Sequence, residues 1–275
     1  MKEVRIPHKK VLGVIRSWKK NRIPFVYRVT NQSVSISSKH GSYRNRESQF
    51  PVNELTFIRS VKDRIIKDGL YQNFPPARDR KRFHQSIVYF KYNRKLLREG
   101  SAFNDCVEID LKAAYWNTAY QIGLLPKDLF EKGNFVSKMS RLAALGSLAK
   151  KTTVIEFDGK KEIRRPEICS PLTEHLWDII CKQVGDHMNE VSSSIGDAFM
   201  FFWVDAMFCK KSAAGAVKKA FRRLGYEFSQ EPVRSITIQP NTIIVEGKER
   251  KQMVDGDLVT TNLRYFPFLA KKRGK

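Results

Sequence analysis

The sequence predicts an α+β fold in which an antiparallel sheet carries helices on one face. Three observations lead there. Apolar residues switch along the chain between the alternation of strands and the wider spacing of helices. After residue 100 the elements run strand, helices, strand, helix, hairpin, helix, strands, an order that segregates helices to one side of a sheet. The chain has 275 residues and 41% hydrophobic content, enough for one large core or two smaller ones.

In order, IPFVYRVT (23–30) and SVSI (33–36) are short apolar runs in a region of mixed structure. ELTFIRSVKDRIIKDGL (54–70) sets Leu55, Ile58, Val61 and Ile65 at helical intervals, and YQNFPPARDRKRFHQ (71–85) breaks the pattern with two prolines before a basic run. A boundary near residue 100 divides a region 1–100 from a region 101–275. In CVEIDL (106–111), Val107, Ile109 and Leu111 alternate with Cys106, Glu108 and Asp110, one face apolar and the other carrying two acids. Residues 112–124 and SKMSRLAALGSLAK (137–150) have helical composition, and TTVIEF (152–157) reads as a strand. PLTEHLWDIICKQVGDHMNEV (171–191) is a long amphipathic helix. AFMFFWVDAMF (198–208) is a buried strand or hairpin, residues 211–226 form a helix ending near Gly225, and 227–247 hold two or three short strands.

Charge narrows the partners. Lys and Arg number 51 against 28 Asp and Glu, a formal charge of +23, which attracts any polyanion. Nucleic acid is the leading class, DNA first and RNA as the alternative. Residues 1–100 hold 24 basic against 7 acidic residues, and 101–275 hold 27 against 21, so 1–100 reads as a basic nucleic-acid-binding region. Within it Arg78, Arg80, Lys81, Arg82, Lys91 and Arg94 interleave with Phe83, Tyr89, Phe90 and Tyr92. Cations neutralise phosphates and exposed rings stack on bases, although alternation in SIVYF equally suits a buried strand. No long apolar span or signal-like start is present, so membrane insertion and secretion are not expected and the site of action is intracellular. Cys106, Cys169, Cys181 and Cys209 form no CxxC pair, and the five histidines form no ligand cluster, which argues against zinc.

Two segments carry chemistry. VEIDLKAAYWNTAY (107–120) ends a strand on Asp110, and FWVDAMF (202–208) sets Asp205 in an apolar run. Burying a carboxylate is costly unless a cation compensates it. Phosphoryl transfer commonly uses two divalent ions held by aspartates, so Mg²⁺ or Mn²⁺ is the expected cofactor.

At these residues the chain resembles the palm of family B DNA polymerases, especially the short protein-primed phage and viral members. DLKAAYW stands against the family's DxxSLYP, which implies Asp110 as a metal ligand, Leu111 lending its carbonyl, and Tyr115 packing under the incoming sugar. LGSLAK (145–150) keeps Ser147 and Leu148 of the fingers motif KxxxNSLYG. The triphosphate-binding lysine of that motif falls on Leu142, so the resemblance hands its role to Arg141 or Lys138. WVDAMF (203–208) stands against DTDSIF, with Asp205 on the metal-binding second Asp and Trp203 on the first. Lys248 or Lys251 resembles the later basic motif that contacts primer or phosphate. The likeness covers roughly 106–250. It implies a palm-like domain over 101–275 with reduced fingers and a basic tail KKRGK, and no evident exonuclease or full thumb. It also implies template-directed DNA nucleotidyl transfer with a replication protein or complementary polymerase subunit, in the host cytoplasm if the protein is viral. Two other readings stay open. One is a catalytically inactive palm-like nucleic-acid-binding or replication scaffold. The other is a metal-dependent nuclease using Glu108 and Asp110 with Asp205 or Asp197.

Overall fold

The computed structural model describes residues 3–29, 33–45, 51–168, 171–240, 242–254 and 257–265. They form a mixed α+β fold with three sheets. From the amino terminus come β1 (Val4–Ile6), α1 (His8–Lys20), β2 (Phe25–Val29), β3 (Val34–Ser38), β4 (Gly41–Asn45) and α2 (Val52–Lys67). Next are α3 (Arg80–Gln85), β5 (Phe90–Tyr92), β6 (Ala102–Phe103), β7 (Cys106–Leu111), α4 (Ala114–Gln121), α5 (Lys127–Gly133) and α6 (Lys138–Gly146). The hairpin β8 (Lys151–Phe157) and β9 (Glu162–Ile168) precedes α7 (Leu176–Ser194), and a second hairpin, β10 (Phe199–Trp203) and β11 (Ala206–Lys210), precedes α8 (Ala214–Arg223). β12 (Phe228–Val233), β13 (Ser235–Gln239), β14 (Thr242–Val254) and β15 (Asp257–Tyr265) follow. No helix among the described residues is long and apolar enough to cross a membrane. Cys169 and the tail KKRGK lie outside the described residues.

The chain forms two compact units, each assembled from two stretches: residues 1–76 with 124–177, and residues 77–123 with 178–275. The compositional boundary near residue 100 falls inside the second unit.

In the first unit a six-stranded sheet runs in the order β1-β4-β3-β2-β8-β9, with β1 parallel to β4 and the other pairs antiparallel. Helix α1 presents Val11, Ile15 and Trp18 at helical spacing to Phe25, Tyr27, Ile36, Ile155 and Phe157. The expected helix over 54–70 is α2, but its buried stripe is Phe57, Val61 and Ile65, with Leu55 and Ile58 only half-buried. The four-residue spacing puts Phe57, Val61 and Ile65 on one face, with Val61 at its centre. Helix α6 is capped by Ser137, whose Oγ accepts from the Ser140 N–H at 3.2 Å. Glu54 of α2 accepts from the hydroxyls of Ser140 and Ser137, and these bonds hold its carboxyl below the ordinary range.

In the second unit a five-stranded antiparallel sheet runs β12-β7-β11-β10-β5. Val107, Ile109 and Leu111 of β7 pack with Val184, Met188 and Val191 of α7 and with Val217 and Phe221 of α8. The opposite face is covered too: Cys106, Phe201 and Phe208 pack against Ile236, Ile238, Ile243 and Tyr265 of the four-stranded sheet β15-β14-β13-β6. The side of β7 that bears the acids is therefore not a solvent face, and Glu108 is 5% exposed.

Two local features of this unit have measurable consequences. Helix α7 crosses close to Val88, and a β-carbon on Gly185 would lie 2.6 Å from the Val88 carbonyl oxygen. Gly185→Ala is expected to destabilise the protein by ~1–3 kcal/mol in urea unfolding, although Ala is the better helix former by ~1 kcal/mol. A buried polar chain links Thr118, Tyr226 and His187: the Thr118 and Tyr226 hydroxyls are 2.6 Å apart, and Tyr226 Oη is 2.8 Å from His187 Nδ1. Burial pushes His187 below its ordinary 6.5, against Glu190 and Asp186, which pull it upward. The unfolded chain then binds the extra proton first. Stability from this site is full above about pH 6.5 and is lost as pH falls below it. His187→Gln should flatten that acid-side slope in unfolding titrations.

Candidate metal and nucleotide site

Register brings the two aspartates together. Strand β11 pairs antiparallel with β7, with Ala206 opposite Asp110, and the Leu111 N–H donates to the Asp205 carbonyl at 3.1 Å. Asp205 is the second residue of the two-residue turn between β10 and β11, closed by the Trp203 and Ala206 pair. Asp110 sits one residue from the end of β7, between Ala206 and Ser229, whose small side chains leave room at the sheet rim. Strict pleating would send residue 205 to the face opposite Asp110. The Tyr265 phenol is raised by burial first and then by the charges of Asp110 and Asp205.

The turn is strained and clamped. Val204 has φ 59°, a conformation that crowds a β-branched side chain and that hairpin turns usually give to Gly. Its N–H donates to the Tyr89 carbonyl at 2.7 Å on one side, while the Asp205 carbonyl is held by Leu111 on the other. Ala113, three residues after Asp110, has φ 49° at the start of α4. Such strain persists only where surrounding bonds over-determine it, and it clusters at functional sites.

Aromatic groups surround the acids. Tyr115 lies in the first turn of α4. Burial raises its phenol well above the ordinary range, with Cys181, Asp205 and Tyr89 adding to the shift. Burial likewise raises Tyr265, with Asp110 and then Asp205 adding. Trp203 packs on Phe90 at 5.5 Å and on Tyr265 at 5.2 Å between centroids, so it belongs to an aromatic cluster. Sequence reasoning missed Tyr265 and the role of Tyr89. The first lies 60 residues beyond Asp205 on a strand the sequence did not mark, and only tertiary pairing brings it near.

The other expected residues are dispersed. Lys138, Arg141 and Ser147 belong to the first unit. Lys138 is exposed. Arg141 Nη1 donates to the carbonyls of Gly133 at 2.9 Å and Val136 at 3.2 Å, capping the end of α5, and Ser147 Oγ donates to the Ala144 carbonyl at 2.7 Å. The basic run 78–85 becomes the short helix α3, capped by Asp79, with Arg78, Arg80, Lys81 and Arg82 exposed. Arg80 also approaches Asp178 at 3.9 Å. Lys91 is drawn inward: its ammonium donates to Asn189 at 2.6 Å and to Ser192 and Ser193. Arg94 is exposed and lies over the Tyr92 ring. Lys248 and Lys251 fall on β14, and their side chains lie outside the described residues. Asp197 is exposed in the turn before β10, separated from Asp205 by the whole strand, roughly 17 Å.

Among the described residues no group of three His, Cys, Asp or Glu side chains could hold a metal ion. The candidate centre thus rests on two carboxylates and backbone oxygen. No protein-family model and no curated protein sequence matches this chain.

Proposed function

We propose that the second unit is a palm-like, metal-dependent nucleotidyltransferase core that extends DNA on a template. The register that joins Asp110 to Asp205 at one sheet rim carries this reading. Two carboxylates with a backbone carbonyl are a hard-oxygen donor set of the kind Mg²⁺ and Mn²⁺ prefer. Asp110, Asp205 and the Leu111 carbonyl would hold the ions. Bound there, the metals would stabilise charge at phosphorus and acidify the attacking hydroxyl. Tyr115, fixed by burial beside Asp205, would pack against the nucleotide sugar. Arg78, Lys81 and Arg82 would meet template phosphates.

One observation favours a second reading, a palm-like binding or scaffold protein without catalysis. Trp203 fills the position of an acid and is committed to packing. Mn²⁺ titration followed by electron paramagnetic resonance, run beside primer extension, separates the two. The enzymatic reading expects Mn²⁺ binding that weakens in both Asp110→Asn and Asp205→Asn, together with metal-dependent incorporation by wild type. DNA binding without Mn²⁺ binding or incorporation would leave the scaffold.

A further inference from the structure

The six-stranded sheet of the first unit packs α1 on one face, and register fixes what lies on the other. Residues paired directly across neighbouring strands point to the same side. Arg5 pairs with Arg44, Arg44 with Ser35, Ser35 with Arg28, Arg28 with Val154, and Val154 with Arg165. A single transverse row across all six strands therefore carries four arginines. Their chain neighbours Ile6, Tyr43 and Tyr27 belong to the core beneath α1, which puts the arginines on the opposite face. Arg5, Arg28 and Arg165 are exposed and Arg44 is partly exposed.

The adjoining row reads Ser42, Ser37, Val26, Glu156 and Ile163. Glu156 is the one acid in the two rows, 3.8 Å from Arg165. With strands about 4.8 Å apart, the arginine row spans roughly 24 Å. Arg5 and Arg44 stand directly opposite each other, a like-charge pair that weakens strand pairing and that a bound polyanion would offset.

We propose that this face binds the sugar–phosphate backbone of a nucleic-acid duplex, as a contact distinct from helix α3. Guanidinium forks and serine hydroxyls match phosphate oxygens. Neither row contains an aromatic residue, so these two rows offer unpaired bases no stacking platform. A duplex presents phosphates with its bases already stacked, and it is the form this surface suits. The inference does not depend on catalysis by the second unit.

Fluorescence anisotropy of a labelled mixed-sequence DNA duplex, with full-length protein and EDTA, tests it. Replacing Arg5, Arg28, Arg44 and Arg165 together by Gln should weaken binding at least about tenfold at physiological salt. The slope of log K against log salt should become shallower by about 3–4, as expected for four lost phosphate contacts. A control removing four charges from α8 (Lys218, Lys219, Arg222 and Arg223 to Gln) should lose less than half as much slope. In wild type, phenylglyoxal labelling read by mass spectrometry should show Arg28 and Arg44 protected by the duplex. Circular dichroism establishes that the variants are folded. A folded row variant that keeps its affinity and slope overturns the proposal, and so does an equal loss in the α8 control. Loss of single-strand binding with duplex binding intact, or competition by polyglutamate as strong as by duplex, also overturns it.

Discussion

Asp205→Asn is expected to lower template-directed nucleotide incorporation by roughly a thousandfold, ~4 kcal/mol of transition-state stabilisation, while leaving folding stability equal to wild type or higher. The same holds for Asp110→Asn. Both aspartates lie at one rim of the sheet, and folding that gathers like charges at one place opposes itself. Asn keeps the shape and removes one charge, which relieves that repulsion. A functional site commonly shows this opposition, in which neutralising an acid stabilises the fold and destroys activity. Single-turnover primer extension gives the first quantity and urea unfolding in EDTA the second. A variant that loses activity only because it unfolds would show the opposite stability change. Mg²⁺ should raise the melting temperature of wild type and leave both variants unmoved, because binding to the folded state alone shifts stability.

Phe208→Ala should cost ~3–5 kcal/mol of unfolding free energy, a large part of the ~5–15 kcal/mol that holds a typical domain. Phe208 is fully buried and stacks on Phe201 with centroids 4.2 Å apart and planes 11° apart. It also meets the Tyr265 ring edge-on at 5.7 Å. Truncation therefore opens a cavity beneath the strand that carries Asp110 and removes a support of Tyr265. Phe208→Leu retains most of the volume and should lose less than half as much. Denaturant unfolding measures both variants. A Phe208→Ala loss below ~1 kcal/mol would mean that the site's floor is not packed in this way.

Strand β7 and the β10–β11 hairpin were legible in the sequence because their signals are local. Alternation in 106–111 and an apolar run interrupted by Asp205 depend only on adjacent residues. Helix α2 was legible as a helix while its buried stripe shifted from Leu55 and Ile58 to Phe57, since periodicity gives a face but the partner chooses its centre. Helix α1 was hidden by its lysines: Val11, Ile15 and Trp18 are buried and Val14 is partly buried among HKKVLGVIRSWKK. Arg141 stood in the sequence as a candidate for the triphosphate-binding cation, and the structure engages it as a cap for α5. No local pattern announces that use, because the acceptor carbonyls come from another helix end.

The sequence by itself determined the strong positive charge, the α+β class, and the placement of Asp110 and Asp205 in strand-rich apolar segments. Those properties follow from residue identity and from periods of a few residues, which survive without knowledge of the partner. Tertiary structure decided that the acids share one rim, that Tyr265 joins them, and that the face of β7 bearing the acids is covered by a second sheet. It also decided that Arg5, Arg44, Arg28 and Arg165 align in one row. The physical reason is common to all four. Each depends on strand register between segments far apart in the chain, and register is set by which faces the whole fold buries.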